Sequence, residues 1–441
     1  MMETQRDTIA REQADIGQLV HENYVDEVKP WLDHLSPVAG LFDTIGDQGY
    51  DLIGEKLVSA AESTYSGGGM ATDGNLPDHQ YVDPVRWETI PARSYIRRAV
   101  DNFVQALGRQ PGAFEEFFAR VQDQMLDVYE RMQTRHIHGS SDATVCKVSS
   151  RTAGDEFVVK DGYGYDGAAP CMFVEPGMLL ALLDASDSFS VIGVGTVDTV
   201  EYNTSGTTAT ITFTEDIDAA SDAAADDVFV FPTTDDTSAR HFVTERGLAP
   251  NGLLNILDPD SDQTTFLNVN ETEHQRWAPV RQASDDFGHV EIMEFLAHIA
   301  AKSNSPVSVE THVLTMQEGV YIELAKDLLP FQQQSQLGRE LAGGWNAVRI
   351  GDFECVKDHY HIPDVVYAHC PEDYWNIDLD GEANVFSEDG SMFQRLADYD
   401  GKEWYMRHYN QRGANRRNRC GALTGVPNPN QSRYDAQPTS A

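Results

Sequence analysis

The stretch from Ala113 to Arg135, AFEEFFARVQDQMLDVYERMQTR, constrains the fold of the chain more than any other. Phe114, Phe118, Val121, Met125, Val128 and Met132 recur three or four residues apart, and Phe117 and Tyr129 widen the same stripe. The remaining positions are mostly charged or amide-bearing, so the period predicts one amphipathic helix. Pro111 and Gly112 open it and Gly139 closes it. At 1.5 Å per residue such a rod is roughly 35 Å long and can span a domain. A hairpin-like arm with a glycine-rich tip precedes the rod, and strands, a β-rich segment and further α/β sequence follow it.

With 441 residues, 41% of them hydrophobic, the chain can bury a sizeable core and is expected to form two or three subdomains. Its 71 acidic side chains face only 8 Lys and 24 Arg, which leaves a net charge of −39. At molar salt the Debye length falls to about 3 Å, so like charges are screened while hydrated carboxylates keep the protein in solution. The composition therefore predicts a halophilic source, with a merely acidic mesophilic protein as the alternative. Cys146, Cys171, Cys355, Cys370 and Cys420 form no C-x-x-C pair and are odd in number, so reduced, buried thiols are expected. There is no apolar run of 18 residues, and METQRDTIAREQADIGQLV lacks the apolar centre of a signal peptide, which points to a soluble chain made in the cytoplasm and no membrane partner.

Taken in order, Thr4 to Leu19 reads as a polar helix anchored only by Ile9, Ile16 and Leu19, either an arm lying across a neighbouring subunit or a frayed terminus. Lys56 to Tyr65 and Val85 to Val100 are extended arms around a turn-rich tip containing Gly67, Gly68, Gly69 and Asp73. After the rod, Ala143 to Ser150 and Glu156 to Lys160 read as strands, Phe173 to Ala185 as a helix or a strand, and Val191 to Phe231 as a small β-barrel with a solvated Asp/Ala-rich turn. Phe287 to Ser303 and Gly319 to Leu328 are expected helices. Val309 to Thr315, Ala347 to Val356 turning at Gly351-Asp352, and Val365 to Tyr367 are expected strands. The closing stretch SMFQRLADYDGKEWYMRHYNQRGANRRNRCGALTGV suits strands and turns, and 427–441 suits a disordered tail.

Several residue groups carry candidate chemistry. His359 and His361, placed on one face of a strand with His369 further on, suit either a metal site or packed and surface imidazoles. Asn376, Asp378, Asp380 and Gly381 resemble the start of a calcium loop, but Ser387 stands where that loop wants a bidentate Glu; a plain Asp-Gly turn is the other reading. His136 and His138 suit the negative end of the long helix. No nucleophile elbow, P-loop or dinucleotide fingerprint occurs, so no catalytic or cofactor-binding residue is assigned. Arg412, Arg416, Arg417 and Arg419 form the one basic cluster. It faces nucleic acid, the carboxylates of a neighbouring subunit, or solvent, and pairing between subunits ranks first because a chain at −39 has no general attraction for DNA.

In this order of parts the chain resembles the major capsid proteins of tailed viruses, the Hong Kong 97 type. The resemblance is carried by LVSAAESTYSGGGMATDGNLPDHQYVDPVRWETIPARSYI as the extended loop, Ala113 to Arg135 as the spine, GGWNAVRIGDFECVKDHYHIPDVVYAHCPEDYWNI, and the closing CGALTGV. It implies an α+β capsid fold with an N-terminal arm (1–50), an extended loop (51–100), the spine helix and peripheral-domain strands (101–165), the start of an axial domain (166–190), a small β-barrel-like insertion (191–235), and an axial domain with returning peripheral strands (236–426).

It further implies a structural, non-enzymatic protein of the virion capsid, assembled in the host cytoplasm into homo-hexamers and homo-pentamers around double-stranded DNA. Portal, scaffold, protease, and decoration or turret proteins would be its partners, and the acidic composition makes a haloarchaeal tailed virus the natural setting. Gly67, Gly68, Gly69, Asp73, Trp87 and the four arginines become subunit-contact candidates. Some relatives weld their shells by a Lys–Asn bond; here Ser66 to Val82 has no Lys, so none is expected at the tip. Mg or Ca held between carboxylates would be the only bound ions. An encapsulin-like cargo compartment shares the fold and is the alternative; a halophilic metal-dependent enzyme using His359, His361 and a carboxylate is the alternative of another class.

Overall fold

The computed structural model describes residues 37–45, 51–53, 56–60, 86–101, 113–186, 189–203, 207–217, 228–232, 247–260, 263–284, 287–308, 310–332, 349–350, 353–379, 384–385, 394–395 and 401–426. The N-terminal helix, the loop tip with Gly67, Gly68, Gly69 and Asp73, the opening Pro111-Gly112, Asp380 and the tail all lie outside these residues.

Helix α1 spans Ala113–His138, three residues beyond the expected Arg135. Met125 and Tyr129 are buried as their period predicts, but Val128 is 46% exposed. From Gln133 to Gly139 every residue is buried, including Gln133, Thr134, Arg135, His136 and His138. The helix therefore presents one stripe along its middle and is enclosed on all sides at its end. Gly139 stops it, with its N–H donating to the Arg135 carbonyl at 2.8 Å.

The chain then enters a closed six-stranded barrel made of Cys146–Arg151, Glu156–Lys160, Leu179–Asp184, Ser190–Tyr202, Ala209–Phe213 and Val228–Pro232. This corrects the expected insertion at 191–235, because the two strands just after α1 close the barrel. Glu156–Lys160 pairs with Ala209–Phe213, and Cys146–Arg151 with Val228–Pro232. Residues two apart share a face, so Phe157, Val159, Leu180, Leu182, Ile211 and Val230 fill the interior. Gly193 and Gly195 sit where the interior has no room. A Cβ would lie 2.2 Å from Ile217 Cγ2 at the first and 2.6 Å from Phe213 Cδ1 at the second. The stretch that reads as either helix or strand, 173–185, resolves to the strand Leu179–Asp184.

Two six-stranded sheets stand beside the barrel among the described residues. In one, the long strand Gly401–Ala414 pairs antiparallel with Ala92–Asp101 from Gly401↔Asp101 through Asn410↔Ala92, and with Tyr374–Asp378 on the other side. The second arm of the extended loop divides at Ile90-Pro91: Arg86–Thr89 joins a three-stranded sheet with Asp51–Ile53 and Lys56–Ala60, and Ala92–Asp101 joins the long strand. Proline has no N–H to give a ladder, which suits a boundary there. In the other sheet the order is Val280–Ala283, Gly421–Thr424, Val365–His369, Val313–Met316, Phe353–Lys357, Arg349–Ile350, the last two paired antiparallel, while the expected turn at Gly351-Asp352 lies outside the described residues.

Short helix α2 is Leu253–Leu257, and α3 (His289–Ser303) and α4 (Glu318–Gln332) cover one face of this second sheet. Val366, Ala368, Leu314 and Leu423 pack under them with Phe295 and Leu324, while Val365, Tyr367 and Ala422 enter the core on the opposite face. Burial on both sides explains the unbroken apolar run of Val365–His369.

Trp87, expected at a subunit contact, is instead 1% exposed and stacks on Trp375 with centroids 4.6 Å apart. Trp375 in turn lies against Gly413, where a Cβ would meet its ring at 2.3 Å. Trp87→Ala is expected to cost about 3–5 kcal/mol, read as a lower denaturant midpoint of the isolated subunit. An unchanged midpoint with weakened association would return Trp87 to a contact role.

Candidate functional site

The arginine cluster turns inward. Arg417 is 0% exposed. Its Nε donates to the Ile256 carbonyl at 2.6 Å and its Nη2 to the Asn255 carbonyl at 3.1 Å, while Nη1 pairs with Glu271. The two carbonyls belong to the end of α2, where backbone acceptors lack helical partners and a cation is favoured. The guanidinium also lies 4.2 Å from the Phe266 ring centroid and 4.8 Å from that of Trp277. Glu271 is shared with Arg281 at 2.8 Å, and Arg281 holds Asp258 at 2.6 Å, so two cations and two carboxylates balance in one buried group. Burial pulls the Arg417 guanidinium down to about 10 against the support of Glu271.

Arg412 donates to Gln133 of α1, and its burial likewise pulls it down to about 10. Arg419 pairs with Asp373 at 3.0 Å and Glu372 at 3.5 Å. Arg416 is half-buried, its charge favouring the ionised form of Asp373. For Arg412, Arg417 and Arg419 the expected subunit contact is thus corrected, since their partners lie in their own chain. A planar fork with fixed donors is well suited to gather carbonyls and carboxylates from separate elements.

The histidines also part company. Residues 359–361 form a turn rather than a strand, because Asp358 Oδ1 accepts from the Tyr360 N–H at 2.9 Å and bends the chain. His359 is left exposed and His361 is 0% exposed. His361 Nδ1 donates to the Ile362 carbonyl at 2.8 Å, and burial holds its pKa down to about 4. Beside it, His138 of α1 approaches Asp358 at 3.3 Å, both side chains 0% exposed. His369, also buried, lies 2.6 Å from Thr315 Oγ1 and 2.9 Å from the Tyr374 hydroxyl, and burial keeps it well below the usual imidazole range. Asn376 and Asp378 belong to the strand Tyr374–Asp378, not to a calcium loop. Among the described residues no three His, Cys, Asp or Glu side chains gather where a metal ion could be held. The five cysteines are buried free thiols.

Sequence reading missed a third arrangement. Tyr129 of α1 lies 2.6 Å from His408 Nδ1, and His408 Nε2 lies 2.9 Å from Asp378. A carboxylate only accepts, so Nε2–H donates to Asp378 and Nδ1 takes the tyrosine hydroxyl. The chain of bonds joins α1 to the long strand and to the strand beside it. No local signal in the sequence marks it, because His408 and Asn410 are polar residues whose burial depends on partners remote in the chain. These groups tie elements of one chain together.

No model of a known protein family matches the sequence, and no curated protein matches it. Among solved structures the chain is similar to the capsid asymmetric unit of cyanophage A-1(L), at 10% identity over 88% of this chain and 92% of that one, with a TM-score of 0.50. It is also similar to the satellite phage P4 procapsid including the size determination protein Sid, at 7% identity over 91% and 90% and a TM-score of 0.40. A third similarity is to the capsid of an empty GTA particle, at 9% identity over 88% and 90% and a TM-score of 0.41. The cyanophage likeness covers nearly the whole of both chains, so this chain shares the fold of that structure.

Arg417→Met leaves two carboxylates, Glu271 and Asp258, sharing the one cation Arg281 and frees the Asn255 and Ile256 carbonyls, so a loss of about 3–5 kcal/mol is expected in denaturant titration. Adding Glu271→Gln should recover part of it. His361 gives a pH signature. The unfolded chain protonates this imidazole near pH 6.5 and the fold only near 4, so its stability contribution is full above 6.5 and falls as pH drops to 4. The loss is on the order of 3 kcal/mol, and His361→Asn should flatten that part of the stability profile relative to the parent protein.

Proposed function

We propose that this chain is the major capsid protein of a tailed virus with the Hong Kong 97 fold, assembling into hexamers and pentamers of an icosahedral shell that encloses double-stranded DNA. The observation that carries the reading is the likeness to the cyanophage capsid subunit across 88% of the chain. The long helix, the loop arms whose strands join two different sheets, and the added barrel all fit a subunit that spreads over neighbours. The loop tip and N-terminal arm are assigned to reaching across subunits, and the acid-rich surface to a shell that forms in strong salt inside a haloarchaeal host. Portal, scaffold, protease and decoration or turret proteins are its further partners in this reading, with packaged DNA touched only locally. Mg or Ca between carboxylates of adjoining subunits would strengthen such a shell.

Purified protein kept in ~2 M salt, where screening permits association of like-charged subunits, is expected to form closed shells, rings of five or six, or tubes in negative-stain electron microscopy. Shell size and nucleic-acid content then separate a virion from a protein-cargo compartment. Dispersed monomers or dimers at every salt and protein concentration would overturn the reading.

A further inference from the structure

The face of the long strand that α1 covers is polar along its centre. His408, Asn410 and Arg412 alternate along Gly401–Ala414, so their side chains share that face. Tyr129 meets His408, and Gln133, one helical turn on, meets Arg412. Asn410 lies midway between these two contacts, beneath the helix, and is fully buried. Its row across the sheet is made of short side chains, Ala92 on one side and Asp378 on the other, while Asn376 stands opposite Arg412. Among the described residues, six buried atoms of this group have no hydrogen-bond partner. Gln133 Nε2, Asn410 Nδ2 and Arg412 Nη1 are donors, and the Oδ1 atoms of Asn376, Asp378 and Asn410 are acceptors. Complementary groups therefore oppose each other, Asn410 to Asp378 and Arg412 to Asn376, without bonding directly.

We propose that the seam between α1 and this sheet binds ordered water, held by Gln133, Asn376, Asp378, Asn410 and Arg412. Three donors and three acceptors call for an occupant that both donates and accepts. Water does so with about three bonds per molecule, so roughly two molecules satisfy the group. The row of short side chains beneath the helix leaves them depth, and opposed polar groups that do not bond directly are bridged well by solvent. An ion fits less well. A halide would satisfy the donors and face the three oxygens, and a cation would do the reverse. The seam already sets Arg412 against Asp378, whose charge supports the guanidinium, so an added charge of either sign would be buried without compensation. Left dry, six such atoms would cost an amount comparable with the stability of a whole domain. His408 and Arg412 thus bond to α1 directly, and Asn410 does so through solvent.

The inference concerns the single subunit and does not rest on the shell reading. Crystals of the full-length protein grown in bromide and rubidium salts, at a resolution that shows ordered water, should carry density peaks in the seam. The peaks are expected about 2.7–3.2 Å from the Asn410 amide and from Asp378 or Arg412, with no anomalous signal. Asn410→Leu supplies a second readout. In a dry seam the leucine removes two unsatisfied atoms and adds apolar burial, so the denaturant midpoint would hold or rise. In a wet seam it displaces the water and strands the Asp378 and Arg412 atoms, so the folding equilibrium constant is expected to fall by about tenfold or more. Asn410→Ser keeps a donor, an acceptor and room for water, and should stay nearer the parent than the leucine variant.

An anomalous peak in the seam, from bromide or rubidium, would assign it to an ion and overturn the water reading. Side chains that close on one another by direct bonds, with no peak between them, overturn it as well. So does an Asn410→Leu midpoint equal to or above that of the parent protein. Where Asn410→Leu does not fold, the density decides alone.

Discussion

The enclosed end of α1 is the constraint on which the other parts depend. The last helical turn has carbonyls without intrahelical donors, and around them Gln133, Thr134, Arg135, His136 and His138 have all left water. Each such group costs free energy unless it is bonded. The elements that surround the turn come from distant parts of the sequence: Arg412 from the long strand, Asp358 from the turn before Val365–His369, and Gly252 from the entrance to α2. Gly252 is the most tightly placed, since a Cβ would lie 2.2 Å from the His136 carbonyl oxygen and 2.3 Å from that of Gly139. The two six-stranded sheets and α2 therefore cannot be positioned independently of the helix end.

Charge is partitioned in a way that the net value conceals. A chain with 24 arginines among 71 acids places several of those arginines inside. Arg417, Arg281 and Arg412 act as clamps on carbonyls, carboxylates and an amide that belong to separate elements. Surface ion pairs contribute little and are weakened by salt, whereas a buried pair is shielded from both water and counterions. A protein whose surface is given over to carboxylates keeps its specific electrostatics where salt does not reach.

This partition also explains what could be read from the chain. The body of α1, the barrel's β content, the antiparallel pairing of Arg349–Ile350 with Phe353–Lys357 and the helices α3 and α4 were legible because period and punctuation are local signals. Barrel closure was not, since Glu156–Lys160 finds its partner in Ala209–Phe213 and nothing in either strand names the other. The run of arginines from Arg412 to Arg419 looked like a surface patch because burial of a cation depends on partners such as Glu271 that are remote in sequence. His359-Tyr360-His361 mimicked a strand by alternation, and an aspartate side chain bonding to the backbone two residues on made it a turn. Trp87 was assigned outward because it lies in a protruding arm, yet the base of that arm is anchored by the Trp375 stack.

The long strand Gly401–Ala414 brings these threads together, because the buried side chains of one of its faces hold the helix. His408 faces inward and is bonded at both ring nitrogens, to α1 on one side and to Asp378 on the other. Tyr409, one residue on, faces the other way and meets Tyr95. With the ladder to Ala92–Asp101 running ten residues, the strand cannot slide by one position without reversing every side chain across the sheet. The fixed register therefore sets where His408 meets the middle of α1. Close-packed interiors yield little, so the helix and the sheet respond as one body. A strand with buried polar groups is not a failed core strand in this setting: His408, Asn410 and Arg412 are buried, and the bonds of His408 and Arg412 fix the helix.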